Sequence, residues 1–133
     1  MIRSLIKSTV LIGSLTLSGF GFSPAANAES EIIFNGTFEG RTDHIVTGGV
    51  TVLKTDSGTV VVLESDFSLD NAPDPKLGFG KDGYDPSTKF SHLESHTGAQ
   101  IYVISEDINP DEYNEIWVWC EKFNVPLGVA KVN

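Results

Sequence analysis

The sequence predicts an all-β, single-domain fold: a β-sandwich, or a barrel-like sheet, of about seven to eight short and mainly antiparallel strands. Three observations support this prediction. Short runs rich in β-branched and aromatic residues recur along the chain, clusters of Gly, Asp, Asn and Pro separate them, and no amphipathic helical pattern lies between them. Many short strands joined by frequent turns are typical of sandwiches and barrels.

The first 28 residues have the pattern of a secretory signal peptide. Arg3 and Lys7 form a basic start, an apolar stretch follows over residues 10–22, and Ala26-Asn27-Ala28 has the small residues that signal peptidases require. Ser and Gly interrupt the apolar stretch, whereas a membrane-spanning helix needs about 20 apolar residues in succession. We therefore expect cleavage after Ala28, a secreted or periplasmic protein, and no membrane span in the mature chain.

The mature chain, residues 29–133, has the length of one domain. It contains seven basic and 18 acidic residues, so its net charge at pH 7 is −11. This charge makes nucleic acids and anionic membrane surfaces poor partners. The chain has one cysteine, Cys120, which cannot form an internal disulfide. In an oxidising compartment its thiol is therefore either a buried apolar group or a reactive one.

Three β-branched runs open the mature domain, over residues 32–38, 46–54 and 59–67. Gly, Asp and Ser residues interrupt and separate these runs, which are predicted to be strands. Residues 55–58 separate the second and third runs, and Gly58 is free to adopt a positive φ. A hairpin with its turn at residues 55–58 is therefore predicted.

Residues 68–89 are predicted to form one long loop, because Asp, Pro and Gly dominate them. Phe79 and Tyr84 are expected to attach this loop to the body of the domain. Loops of this length in compact domains are commonly functional. Together with Asn71, four acidic residues of the loop are candidate calcium ligands: Asp70, Asp74, Asp82 and Asp85. Their spacing does not match an EF-hand, and a solvated acidic loop is the alternative interpretation.

The second half of the domain is predicted to contain strands over residues 90–94, 99–105, 116–123 and 125–132. Asn109 is expected to cap a single helical turn that begins at Pro110. Pro126 indicates that the last strand begins there or lies at a sheet edge, because proline has no N–H to donate to a neighbouring strand.

Side chains alternate along the strand predicted over residues 116–123. One face carries Ile116, Val118 and Cys120, and the other carries Trp117 and Trp119. If the first face points to the core, Cys120 is buried and the two indoles form a surface for a protein, a sugar or an electron-transfer contact. If the indoles point to the core, Cys120 is the exposed group.

His92 and His96 are the candidate ligands for a transition metal, because imidazole binds zinc and copper well. On a strand, residues four apart lie on one face but about 13 Å from each other, so sharing one ion requires a turn or a helix there. Two surface histidines with no metal are the alternative interpretation.

The stretch from Tyr113 to Gly128, YNEIWVWCEKFNVPLG, resembles the end of the DM-thirteen domain family, which typically has an I-W-C-x-x-F-N-V-x-F-G-like signature. Other landmarks are similar and occur in the same order: Gly36-Thr37-Phe38, the hairpin over residues 46–58, residues 63–67, Ala72-Pro73-Asp74-Pro75, and Gln100-Ile101-Tyr102 before the Pro110 turn. The resemblance covers nearly the whole mature chain. Leu127 is a departure, since an aromatic residue is common at this position of the signature.

This resemblance implies an extracellular, β-sandwich-like module proposed to transfer electrons through its characteristic cysteine, here Cys120. Relatives often carry the module beside haem-binding or membrane cytochrome domains, so a redox protein is the implied partner. A single thiol limits the chemistry to a mixed disulfide, a sulfenic acid or metal ligation. We expect an accessory redox module rather than a self-sufficient enzyme, with Trp117 and Trp119 contacting the partner.

Two other functions remain open from the sequence. The first is a binding module, in which the tryptophan face or the acidic loop recognises a protein, a glycan or calcium and Cys120 is structural. The second is copper or haem ligation by Cys120 together with His92 or His96.

Overall fold

The computed structural model of the chain describes residues 30–132, which are nearly all β. The predicted signal peptide and its cleavage after Ala28 lie outside these residues. The strands of the described part are β1 (Ser30–Gly40), β2 (Val46–Thr47), β3 (Gly49–Thr55), β4 (Gly58–Leu63), β5 (Ser68–Leu69), β6 (Pro75–Gly80), β7 (Ser91–His92), β8 (Gln100–Ile104), β9 (Glu115–Cys120) and β10 (Val125–Val132). Two 3-10 turns, Pro86–Thr88 and Pro110–Glu112, complete the secondary structure there.

Eight of these strands form one antiparallel sheet in the order β7-β6-β9-β10-β1-β3-β4-β8. The sheet curls into a nearly closed barrel, and β2 and β5 form a separate two-stranded ladder. Side chains bridge the gap between the two outermost strands: the rings of Phe90 and Tyr102 lie 5.9 Å apart, and the Tyr102 hydroxyl accepts a hydrogen bond from the Glu94 amide at 3.1 Å. The predicted all-β, barrel-like fold is confirmed.

The barrel interior is filled by alternate residues of each strand, as the period of two requires. In β4, for example, Thr59, Val61 and Leu63 are buried while the residues between them are partly exposed. The most deeply buried side chains come from both halves of the sheet, with Val52 and Val61 on one side and Leu77 on the other, all 0% exposed. The core therefore depends on closure of the sheet, because neither half covers its own inner face.

The long loop predicted over residues 68–89 is wrong at its start, where residues 68–69 form β5, and in its middle, where residues 75–80 form β6. This strand pairs with β9 from Pro75, opposite Cys120, to Gly80, opposite Glu115. Leu77 and Phe79 point to the core, and two of the outward positions are glycines, Gly78 and Gly80. A strand with glycines at most of its outward positions shows weak apolar and polar alternation, so the pattern could not reveal it.

The remaining elements lie close to their predicted positions. The hairpin is confirmed, with Thr55 paired to Gly58 and Gly58 at φ 125°. Asn109 caps its 3-10 turn, since its side chain accepts from the Asp111 amide at 3.1 Å. Gly48, at φ 98°, divides the run over residues 46–54 into β2 and β3. Pro126 stands near the start of β10, which is an inner strand between β9 and β1 rather than an edge strand.

Candidate functional site

Strand β9 places the cysteine and the tryptophans on opposite faces of the sheet. Ile116, Val118 and Cys120 point into the core and are at most 1% exposed, whereas Trp117 and Trp119 lie half-buried on the outer face. This arrangement is the first of the two that the sequence allowed. The thiol is therefore internal, and the indoles form part of the surface.

Cys120 lies at the end of β9, between Pro75 of β6 and Val125 of β10. Its side chain is buried, and the Sγ–H group donates a hydrogen bond of 3.2 Å to the carbonyl oxygen of Pro73. Pro73 itself is exposed. The Pro73 carbonyl thus lies against the buried thiol, and we call the segment that carries it, residues 70–74, the covering loop.

Asp70 fixes the first end of the covering loop. Its carboxylate accepts a hydrogen bond from the Ile45 amide and lies against His44 Nδ1, each at 3.0 Å. The Asp70 amide also donates to the Ile45 carbonyl at 3.0 Å. The backbone hydrogen bond from Ile45, followed by the His44 side chain, lowers the pKa of Asp70 to about 2. The carboxylate is therefore stabilised in its charged form, and it ties the loop to the β1–β2 connection.

Asp74 fixes the other end of the loop. Its carbonyl accepts a hydrogen bond from the Glu121 amide at 3.2 Å, and its carboxylate binds Lys76 Nζ at 2.6 Å. Lys76 also contacts Glu121 at 3.0 Å, and Lys89 binds the other Glu121 oxygen at 2.6 Å. Hydrogen bonds to these partners raise the pKa of Lys76 and lower the pKa of Glu121. The loop is thus attached at both ends by exposed polar contacts, and only Ala72 inserts into the core.

The outer face of β9 carries three aromatic rings in contact, which we call the aromatic face: Tyr84, Trp117 and Trp119. Tyr84 stacks on Trp119 with ring centroids 4.6 Å apart, and Trp119 meets Trp117 edge to face at 6.1 Å. Burial raises the pKa of Tyr84, and the charge of Glu121 adds to this shift. The sequence predicted the two indoles but expected Tyr84 only to attach a loop.

Two glycines of β6 make room for these rings. A Cβ on Gly78 would lie 2.6 Å from Tyr84 Cε1, and a Cβ on Gly80 would lie 2.5 Å from Trp117 Nε1. Any larger residue at these outward positions would displace the rings. The glycines that concealed β6 in the sequence are therefore required by the aromatic face.

Glu115 is a further residue of this face that sequence reasoning missed as a site residue. It is 4% exposed, and its Oε1 accepts hydrogen bonds from Trp117 Nε1 at 2.9 Å and from the Gly83 amide at 3.0 Å. These bonds orient the indole and hold the turn that presents Tyr84. The available signal was a carboxylate two residues before a tryptophan on the same strand face.

The histidines and aspartates that the sequence offers as metal ligands are exposed or make other contacts. His92 is exposed at the end of β7, His96 follows it outside any strand, and Asp82 is exposed at φ 58° in a turn. Asp85 caps the Pro86–Thr88 turn through the Ser87 amide, while Asp70 and Asp74 hold the covering loop. Across residues 30–132, no group of three or more His, Cys, Asp or Glu residues is arranged to hold a metal ion.

Fold and site together define a small barrel-like β protein with one thiol beneath a surface loop and an aromatic face on the reverse of the same strand. The family model described as electron transfer DM13 matches residues 37–132, and the chain belongs to this family. No curated protein and no solved structure matches the chain. Within the described residues, no helix has the length and apolar character needed to cross a bilayer.

The charge state of Asp70 predicts an acid-sensitive covering loop. Because the folded-state pKa of about 2 lies below the usual value of 3.8, the stabilisation is complete above the usual value and is lost as the pH falls through about 2. An NMR titration of the Asp70 carboxyl should report the lowered pKa, and the difference in melting temperature between wild type and Asp70→Asn should shrink over the same pH range. A titration midpoint at the usual value would contradict this prediction.

Substitution of Gly78 tests the packing of the aromatic face. Gly78→Ala should move Tyr84 off Trp119, change tryptophan fluorescence and near-ultraviolet circular dichroism, and reduce stability by about 1–3 kcal/mol. Gly49→Ala is the matched control, since its Cβ would meet a flexible Glu64 side chain at 3.2 Å and no ring. Unchanged spectra in Gly78→Ala would show that the rings are not packed against this position.

Proposed function

We propose that this protein is an extracytoplasmic electron-transfer module that reacts through Cys120 and contacts its redox partner through Trp117 and Trp119. Membership of the electron transfer DM13 family supports the redox class. The observation that carries the role of Cys120 is its position: the sulfur is buried, yet it hydrogen-bonds to the carbonyl of an exposed residue, Pro73. Displacement of the covering loop alone would bring it to solvent.

Thiol–disulfide exchange is the chemistry that best suits a single thiol. The Cys120 thiolate attacks one sulfur of a partner disulfide, a new S–S bond forms, and the partner's other sulfur leaves as a thiolate. Cys120 is thereby oxidised and the leaving sulfur is reduced, while the Cys120 proton passes to water or to the leaving group. Since the chain has no second cysteine, the mixed disulfide must be resolved by a thiol from outside.

Access to the sulfur requires local opening of the covering loop. Loops held by few buried apolar contacts and by exposed polar bonds open at lower free energy than the core. The covering loop has these properties, since its attachments at Asp70 and Asp74 involve exposed carboxylates. The closed loop protects the thiol until a partner or a fluctuation displaces the loop.

The compartment follows from the predicted signal peptide. A chain cleaved after Ala28 is exported, and disulfide exchange takes place in the periplasm and outside the cell. The acidic surface of the mature chain suits a partner with a basic contact region. Half-buried indoles are suitable contact residues, because tryptophan is enriched where interfaces bind most strongly.

A non-catalytic binding module with a structural cysteine is the second candidate function, and the burial of Cys120 favours it. At 1% exposure, the thiol has the burial typical of an inert core cysteine. In this case the aromatic face alone would recognise a protein or a glycan. The two candidates differ in whether the folded protein ever exposes its sulfur.

Reaction of the mature protein with oxidised glutathione separates these candidates. Wild type should form a mixed disulfide slowly but without global unfolding, and Asp70→Asn should react several-fold faster because the covering loop loses its charged anchor. Asp66→Asn is the matched control, since Asp66 also binds a backbone amide, that of Gly49 at 3.0 Å, but lies outside the covering loop. Cys120→Ala should not react.

The binding-module function predicts a different result. Cys120 would then react only through global unfolding. Asp70→Asn would speed the reaction only as far as it lowers the free energy of global unfolding. That outcome would contradict the redox role of Cys120.

A further inference from the structure

The outer side of the sheet at β4 and β8 carries a continuous group of aliphatic side chains. Ile101 and Val103 of β8 are 67% and 75% exposed. They pair with Val62 and Val60 of β4, and Leu53 and Ile32 extend the same row across β3 and β1. We call these six side chains the apolar face: Ile32, Leu53, Val60, Val62, Ile101 and Val103.

The apolar face lacks charge in a chain that is otherwise strongly acidic. Neither β4 nor β8 contains an ionisable side chain other than Tyr102, whose ring points inward, although the chain has 18 acidic residues. Isolated exposed aliphatic residues are ordinary, but contiguous apolar patches mark interaction surfaces. A contiguous uncharged patch on an acidic chain therefore indicates an interaction surface.

The position of β8 adds a second constraint. It is the last strand of the sheet, and among residues 30–132 β4 is its only strand partner. The chain over residues 94–98 covers part of this edge through hydrogen bonds to Gln100 and Tyr102. The outward positions of the strand, Ile101 and Val103, remain uncovered in the described residues.

We propose that a second copy of this chain covers the apolar face, forming a two-fold symmetric dimer. A net charge of −11 on each mature chain opposes contact between most other surfaces of two copies. The apolar face is where two copies can meet without bringing carboxylates together. A two-fold contact uses the same patch on both chains, so an uncharged, self-complementary patch meets its requirement.

The charges that flank β8 fit this arrangement. Glu106 and Asp107 follow the strand, whereas Thr97, Gly98 and Ala99 precede it. A two-fold axis perpendicular to the strand sets the two β8 strands antiparallel, so the acidic end of one lies beside the uncharged end of the other. Like charges are thereby kept apart at both ends of the contact.

Sedimentation of the mature protein over a range of concentrations tests this proposal. Wild type should shift from the mass of one chain to that of two, and added salt should strengthen the dimer by screening the net charge. Val103→Glu should weaken dimerisation by at least about tenfold, because it places a carboxylate in the contact of each copy. Ile45→Glu is the matched control: Ile45 is 67% exposed, as Ile101 is, but lies outside the apolar face.

Melting temperatures measured in parallel show whether Val103→Glu still folds. If it does not, Val103→Thr keeps the shape of the side chain and should also weaken the dimer. A wild-type chain that remains single at every concentration would overturn the proposal and leave the face for a different protein partner. Equal weakening by Ile45→Glu and Val103→Glu would also overturn it, because the effect would then follow net charge.

Discussion

The alternation of side chains along β9 is the constraint on which the site depends. This strand lies inside the sheet, paired with β6 on one side and β10 on the other, so it cannot rotate without breaking both ladders. Its inward row carries Cys120 and its outward row carries Trp117 and Trp119. A thiol and an aromatic face are therefore held on opposite sides of one strand.

The strand also determines what covers each side. Cys120 ends β9 opposite Pro75, where β6 begins, and the chain that enters β6 places the Pro73 carbonyl against the thiol. On the outer side, β6 contributes Gly78 and Gly80, which leave space for the rings. The neighbouring strand β6 thus acts on both sides of β9: the loop that leads into it contacts the sulfur, and its glycines leave space for the indoles. Polar contacts from Asp70 and Asp74 hold the loop where apolar packing is limited to Ala72.

Much of this fold could be predicted from the sequence, because most strands show β-branched residues bounded by turns. The hairpin at Gly58, the cap at Asn109 and the bounds of β10 all follow from local chemistry that acts over a few residues. Strand β6 could not be predicted, since two of its outward residues, Gly78 and Gly80, are glycines. These glycines leave space for aromatic rings that come from elsewhere in the chain. Sequence pattern allowed both orientations of Cys120, and only the closed sheet selects one.

The covering loop illustrates the same limit. Asp70 and Asp74 are candidate calcium ligands from the sequence, because carboxylates close in sequence suggest a shared ion. The Asp70 carboxylate binds the amide of Ile45, 25 residues away, which no local spacing could reveal. The Asp74 carboxylate binds Lys76 nearby, and only the Asp74 carbonyl has a distant partner, the Glu121 amide. Long-range contacts of this kind decide whether a buried cysteine is accessible. Family membership gives the electron-transfer class, and the proposed role of Cys120 rests on these contacts.

Comparison of thiol reactivity with amide hydrogen exchange shows whether opening of the covering loop gives access to Cys120. The Glu121 amide donates to the covering loop, and the amides of β4 report the core. If the covering loop controls access, opening measured at the Cys120 thiol should have the same free energy as opening at the Glu121 amide, and a lower one than exchange in β4. If the thiol instead matches β4, Cys120 is exposed only by global unfolding and the loop does not control access to it.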